Sequence, residues 1–203
     1  MAYPLELSTP RLRLRIWTDA DRDDLAQMMA DPEVMHDYGG PISRIDYTAG
    51  FIRDGYSRWL IETTDGPVPN FVGYAGVAAH TEPEHPLGPH SDIGWRLIRQ
   101  AWSHGYATEA ANAALEDVFS RIGLSEVVSY TSAANTRSRA VMKRLGLMRD
   151  GERDFTVRYP AIGEWRGLVW SGVADDFAGP RPGPDLSSVH EVRSVRPELR
   201  HLR

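Results

Sequence analysis

The chain alternates short stretches of period two with longer runs at helical spacing. Arg11-Leu12-Arg13-Leu14-Arg15-Ile16-Trp17 places apolar residues at every second position, which predicts a half-buried strand. Thr18-Asp19-Ala20-Asp21 then supplies a helix start in which an acidic residue reaches back to the cap. Leu25, Met28 and Met29 follow at helical spacing until Asp31-Pro32 stops the run. A second helical region is predicted within Ser43 to Ser57, with Gly50 and Gly55 working against it. Trp59 to Glu62 and Phe71 to Val77 read as two strands joined by an Asp65-Gly66-Pro67 turn, hence a hairpin. His80 to Ser91, rich in proline and histidine, reads as a loop. Asp92 to Ile98 is the next strand, with Ile93, Trp95 and Leu97 on one face.

The strongest helical signal comes next. Ala107, Ala111, Leu115, Val118, Phe119 and Ile122 share one stripe, and Gly123 ends it. Val127 to Thr131 is a strand. Asn135 caps a helix running to about Leu145, closed by Gly146 in the same way. Two more strands are expected within Leu147 to Tyr159 and Glu164 to Val173. Beyond them Gly179-Pro180-Arg181-Pro182-Gly183-Pro184 cannot form helix or sheet, and the remaining residues are poor in apolar side chains. The pattern divides the chain into a folded domain over 1–177 and a flexible tail over 178–203. It predicts an α/β domain of the α+β type, with six to seven strands and about four helices.

Composition narrows the chemistry. With 203 residues and 41% hydrophobic content, the chain is long enough for one sizeable core and short for two. It has no cysteine, which excludes disulfides, thiolate metal sites and a cysteine nucleophile. A net charge of −5 argues against a general nucleic-acid binder. No leader or membrane-spanning run is legible, so a cytoplasmic location is the default expectation. His80, His85 and His90 recur every five residues with prolines between them. That is not a known zinc spacing, so they read as loop histidines that border a site, and no metal is expected.

Trp102-Ser103-His104-Gly105-Tyr106-Ala107-Thr108-Glu109-Ala110 joins the Asp92–Ile98 strand to the long helix. Small residues at a strand-to-helix turn let backbone N–H groups approach a ligand, and the first helical turn favours an anion. The run therefore reads as a phosphate cradle. It has neither the lysine-bearing P-loop nor G-x-G-x-x-G. Its residue order resembles the diphosphate loop of the GNAT N-acetyltransferases, and more narrowly of their RimJ/RimL-like branch. Four other landmarks support the resemblance, which covers Leu7 to Phe177. They are Ser8-Thr9-Pro10-Arg11-Leu12-Arg13-Leu14-Arg15, Asp31-Pro32-Glu33-Val34-Met35, Asp92-Ile93-Gly94-Trp95, and Asn135-Thr136-Arg137-Ser138 leading to Lys143-Arg144-Leu145-Gly146-Leu147.

The resemblance implies a mixed, mostly antiparallel sheet in which the Asp92–Ile98 and Val127–Thr131 strands splay apart to admit a pantetheine arm. It implies acetyl-CoA as co-substrate and direct transfer of the acetyl group to an amine. Arg96, Leu97, Ile98 and Arg99, the run Trp102, Ser103, His104, Gly105, Tyr106, Ala107 and Thr108, and Asn135 and Ser138 would then bind the cofactor. A backbone N–H within Arg96–Ile98 would polarise the carbonyl. Many relatives carry Gln or Arg at the position of Trp102, and Arg99 and His104 are candidate substitutes for that cation. Asn135 reads equally as a helix cap, and Ser138 as a solvent-facing residue of the first turn.

Asp92 is the candidate base, on the expectation that a partly dry cleft raises its pKa; the alternative is a strand-edge aspartate. Ser138 is the second candidate catalytic group, because Met142 stands where many relatives place a proton-donating tyrosine and a thioether donates no proton. The implied partner is an amine, as a peptide N-terminus or a small molecule, with no nucleic acid and no membrane. A homodimer is compatible with the sequence. Two rival readings are a non-catalytic acyl-CoA sensor on the same fold and a nucleotide-binding enzyme that uses the glycine turn for ATP. Trp59, Trp95, Trp165 and Trp170 are core or rim aromatics, one or two of which line the acceptor pocket.

Overall fold

The computed structural model describes residues 6–36, 47–64, 70–159 and 163–177. The Asp65-Gly66-Pro67 turn, the Ser43–Asp46 part of the second helical region and the 178–203 tail lie outside the described residues.

Among the described residues nine strands form the sheet: β1 (Glu6–Ser8), β2 (Leu12–Arg15), β3 (Arg58–Thr63), β4 (Phe71–His80), β5 (His90–Leu97), β6 (Glu126–Thr131), β7 (Met148–Arg149), β8 (Phe155–Tyr159) and β9 (Gly163–Val173). Their order is β1-β2-β3-β4-β5-β6-β9-β7, with β8 also on β9. Every pairing is antiparallel except β5 with β6. The mixed, mostly antiparallel architecture agrees with expectation, and the strand count exceeds it. β1 and β7 are too short to show alternation in the sequence. The Leu147–Tyr159 segment also holds two strands, β7 and β8, separated by a 3-10 turn at Gly151–Arg153.

Six helices accompany the sheet among the described residues: α1 (Arg22–Ala30), α2 (Pro32–Met35), α3 (Tyr47–Asp54), α4 (Tyr106–Asp117), α5 (Thr136–Arg144) and α6 (Ala174–Phe177). At the start of α1 the Asp21 carboxylate accepts the Thr18 backbone N–H at 2.7 Å. Asp31 ends α1 and caps α2, accepting the Glu33 N–H at 2.9 Å. The long stripe packs as its spacing requires. Ala110, Ala111, Ala114, Leu115 and Val118 are buried against Leu12, Leu14, Val72, Ala75 and Ile93 of the sheet. Three alanines on the contact face let α4 lie close to the strands.

The stripe continues through a π-helical turn, Val118–Ile122, before Gly123. The N–H groups of Gly123 and Leu124 close on the Val118 carbonyl at 3.0 and 3.2 Å. α5 ends alike, with the Leu147 N–H on the Met142 carbonyl at 3.0 Å.

Two features position the site. α4 is the crossover between parallel strands β5 and β6, so its N-terminus sits at the end of β5. In addition β4 and β5 run further than their sequence patterns indicated. His80 is the last residue of β4, His90 the first of β5, and the two face each other in register. The predicted His80–Ser91 loop is therefore shorter, because its end residues complete a hairpin.

Candidate active site

β5 and β6 are paired at a single position, Asp92 opposite Val128. Beyond that pair toward Leu97 the strands diverge, which opens a cleft of about 1660 Å³ lined by both. The Ile98 N–H donates to the Val72 carbonyl of β4 at 3.0 Å, so it is unavailable to a ligand. Strand alternation directs the Arg96 N–H to β4 as well and turns the N–H groups of Leu97 and Trp95 into the gap. Within the expected Arg96–Ile98 segment, Leu97 is the residue whose donor is free to polarise a carbonyl, and Trp95 adds a second. The Arg96 side chain points elsewhere, onto the sulfurs of Met29 and Met35 at 3.6 and 3.3 Å.

At the far end of β5 the chain turns into α4. Ser103 and Gly105 adopt left-handed conformations, with φ of 66° and 83°. The N–H groups of Ser103, His104, Gly105, Tyr106 and Ala107 span this turn and the start of α4. Among the described residues none of the five has a backbone acceptor, whereas Thr108 and Glu109 already bond to the Gly105 carbonyl. The Thr108 hydroxyl beside them is buried without a partner. Five unspent donors and an orphaned hydroxyl at a helix N-terminus are the complement of a diphosphate. A side chain at Gly105 would be strained at that φ and would approach Arg11 Nη2 at 3.5 Å.

Trp102 corrects one expectation. Its N–H is spent on the Arg99 carbonyl at 3.1 Å and its indole on the Leu97 carbonyl at 2.9 Å, so it braces the turn and adds no backbone donor. Arg99 is not the substitute cation, because its guanidinium is paired with Asp31 at 2.7 Å. His104 is exposed and stacks on Tyr106 at 5.3 Å. A cation on the cleft side of the loop is Arg137, which lies 4.1 Å over the Trp102 ring and lines the cleft. The sequence reading missed Arg137, although it stands inside the quoted Asn135–Ser138 motif.

The loop is braced from the other end of the domain. Glu109, in the first turn of α4, accepts the Thr9 hydroxyl at 2.5 Å, the Arg11 N–H at 3.1 Å and Arg11 Nε at 2.7 Å. Arg11 Nη1 donates in turn to the His104 carbonyl at 3.0 Å. Two motifs nearly one hundred residues apart thus form one structure. Across the cleft, Asn135 is an N-cap whose Oδ1 accepts the Ser138 N–H at 2.9 Å. Both residues also line the cleft, so the cap and ligand readings coexist. Met142 is buried in the core.

Asp92 departs most from expectation. Its carboxylate is buried, with both oxygens 2.6 Å from Arg58 Nη2 and Oδ1 2.7 Å from His80 Nε2. Burial pushes the carboxyl up, but the Arg58 charge and the His80 hydrogen bond outweigh it and hold the group well below the usual carboxylate range. The expected rise is reversed. Asp92 is a fixed anion, and neither Arg58 nor His80 was legible as its partner in the sequence.

Trp59 and Trp170 belong to the core, while Trp95 and Trp165 line the cleft. The end remote from the loop is walled by His85, Tyr130, Tyr159 and Trp165; exposed at the rim of the cleft are Glu82, beside His80, and Glu33 on α2, whose Met35 meets Arg96. Among the described residues no group of three or more His, Asp or Glu is arranged to hold a metal, and no helix is long and apolar enough to cross a membrane.

Asp92→Asn tests the ion pair. A depressed pKa means that Asp92's contribution is complete above the unfolded value near 4 and fades as pH falls below it. The variant is expected to lose about 3–5 kcal/mol at pH 7 by stranding Arg58. The difference from the parent narrows toward pH 3, as read by urea unfolding at several pH values.

Comparison with known proteins agrees with this geometry. Residues 11–148 match the acetyltransferase (GNAT) domain. The chain is 27% identical over 158 residues to the uncharacterized N-acetyltransferase YoaA of Bacillus subtilis, covering 73% of this chain and 85% of YoaA. It is 29% identical over 154 residues to the FsC-acetyl coenzyme A-N(2)-transacetylase of Aspergillus fumigatus, covering 70% of this chain and 64% of that protein. The crystal structure of an acetyltransferase from Agrobacterium tumefaciens superposes with a TM-score of 0.63 at 28% identity, over 85% of this chain and 95% of that one. RimJ of Mycobacterium smegmatis, solved with CoA-disulfide, shares the fold at a TM-score of 0.63 and 19% identity, over 83% and 84% of the two chains. A domain match across the split strands, the cradle and the Asn135 cap leaves one conclusion: the chain belongs to the GNAT acetyltransferases.

Proposed function

We propose that this chain transfers the acetyl group of acetyl-CoA to a primary amine, as a member of the RimJ/RimL-like branch. The acceptor is the α-amine of a peptide or protein N-terminus. The observation that carries the reading is the run of five unspent N–H groups from Ser103 to Ala107 at the mouth of the β5–β6 gap. These donors, with Thr108 and Arg137, hold the diphosphate. The pantetheine arm follows the gap, where Asn135 and Ser138 meet it on the α5 side and the Leu97 and Trp95 N–H groups on the other. A donor aimed at the thioester carbonyl is worth about 3–4 kcal/mol. Most of the remaining rate comes from holding amine and thioester together.

The chemistry is direct attack by a neutral amine, since the chain has no cysteine to form a thioester with the enzyme. Glu33 and Glu82 at the rim attract an ammonium group, and the faces of Tyr130, Tyr159 and Trp165 suit a cation or an apolar body. Those aromatic walls also favour a second acceptor class, compact small-molecule amines. Ser138, which lines the cleft, donates a hydrogen bond to the leaving sulfur in this reading, and a thiolate needs little more than that.

Calorimetry with acetyl-CoA, with ATP as control, tests the cofactor. Micromolar affinity, about −8 kcal/mol, is expected for acetyl-CoA alone; binding only to ATP, or to neither, contradicts the reading. Thiol release is then measured with free N-terminal peptides, spermidine and phenylethylamine, and turnover of at least one is expected. Arg11→Ala releases the brace behind the loop and is expected to weaken acetyl-CoA about tenfold, roughly 1.4 kcal/mol. An unchanged affinity in the folded variant shows that the brace does not position the donors.

A further inference from the structure

At the acceptor end of the cleft three strands contribute one polar chain. Arg58 of β3 passes over Gly94 of β5, where a Cβ would come within 3.1 Å of its Nη2. Nη1 of the same guanidinium donates to the Asp92 carbonyl oxygen at 2.8 Å, and Nη2 holds the Asp92 carboxylate. The carboxylate then meets His80 Nε2 from the end of β4 at 2.7 Å. An ionised carboxylate only accepts, so Nε2 carries the proton and Nδ1 the free lone pair. Glu82 Oε2 lies 3.9 Å from Nδ1, beyond hydrogen-bond distance. The imidazole plane is held by stacking on His90, with centroids 4.7 Å apart and planes 8° apart. His80 lines the cleft and keeps about one third of its side chain exposed.

We propose that His80 is the catalytic base, taking a proton from the bound ammonium at Nδ1, directly or through one water, with Asp92 and Arg58 as its positioning residues. The proposal rests on the acetyltransferase reading of the cleft. The ammonium gives one proton to Nδ1, and the freed nitrogen lone pair forms the C–N bond at the acetyl carbonyl. The C–S bond breaks with its electron pair going to sulfur. The thiolate takes the second nitrogen proton, and His80 returns its own to solvent. One amide, one thiol and one proton leave.

The groups facing His80 are Asp92 and Arg58 on β5 and β3, Glu82 and His85 on the connecting loop, and His90 on β5. Burial lowers the His80 pKa, but the hydrogen bond and charge of Asp92 outweigh it, with Glu82 adding in the same sense and Arg58 opposing. The net shift is upward. His85 and His90 are pushed down, chiefly by burial, so they stay neutral beside it. A base of raised pKa works in its neutral form, so activity rises with pH through that value.

The test is the pH profile of kcat/KM, using whichever of the N-terminal peptides, spermidine or phenylethylamine turns over fastest, with acetyl-CoA affinity measured in parallel. His80→Gln is expected to lower kcat/KM about 10²- to 10³-fold. It should remove the acid limb assigned to His80 and leave acetyl-CoA affinity within about twofold. Asp92→Asn and the exposed Glu82→Gln are expected to move that limb to lower pH, the second without disturbing the buried pair. The amine's own titration is common to all variants. Retention of kcat/KM in His80→Gln, or an acid limb unmoved by both His80→Gln and Glu82→Gln, overturns the assignment while acetyl-CoA binding stands. If acetyl-CoA does not bind the parent protein, or no amine of the panel turns over, the underlying reading fails and the base assignment falls with it.

Discussion

Two parallel neighbours that meet at one residue pair set the terms for this protein. Asp92 and Val128 hold β5 and β6 together, and past them the strands no longer share a ladder. Backbone donors in a continuous sheet are spent on the next strand, and an unpaired buried donor costs about 1–3 kcal/mol. In a widening gap the Leu97 and Trp95 N–H groups stay open to water or to a ligand. The crossover helix α4 begins past the end of β5, and the residues that carry its unspent N–H groups line the same cleft.

That geometry holds because both ends of the gap are braced by charge. At the wide end, Glu109 gathers Thr9 and Arg11 of the β1–β2 connection, and Arg11 reaches on to the His104 carbonyl. At the narrow end, Arg58 and Asp92 form a buried pair just where β5 and β6 part. Breaking either pair strands a charge, and for the buried one the cost is large. The ion pair also decides the chemistry there. A carboxylate held anionic by a guanidinium is a poor proton acceptor and a good partner for an imidazole.

Much of this was legible in the sequence, and the parts that were not share a cause. The α4 stripe, the glycine stops after α4 and α5, the Asn135 cap and the glycine-bearing turn at Ser103–Ala107 are local features, readable from spacing and from residue types that favour one backbone conformation. Arg58 is thirty-four positions from Asp92 and belongs to a different strand, so no spacing rule joins them. The three histidines misled for the same reason. The prolines among them suggested a loop, whereas the register of the β4–β5 hairpin sets His80 against His90 and brings His80 to Asp92. Arg137 escaped notice because its role depends on stacking over Trp102, a contact between separate elements. β1 and β7 are simply too short for alternation to appear.

We propose above all that the backbone N–H groups of residues 103–107 receive the diphosphate of the cofactor, with the Thr108 and Arg137 side chains in support. Amide-resolved NMR titration of the isotope-labelled protein with CoA tests it most directly. The account predicts that the Ser103, His104, Gly105, Tyr106 and Ala107 N–H signals shift downfield and gain protection from exchange together, with Leu97 and Trp95 following. The Ile98 and Trp102 amides, already bonded within the protein, should gain no comparable protection. CoA binding that leaves the five amides unshifted and unprotected would contradict it.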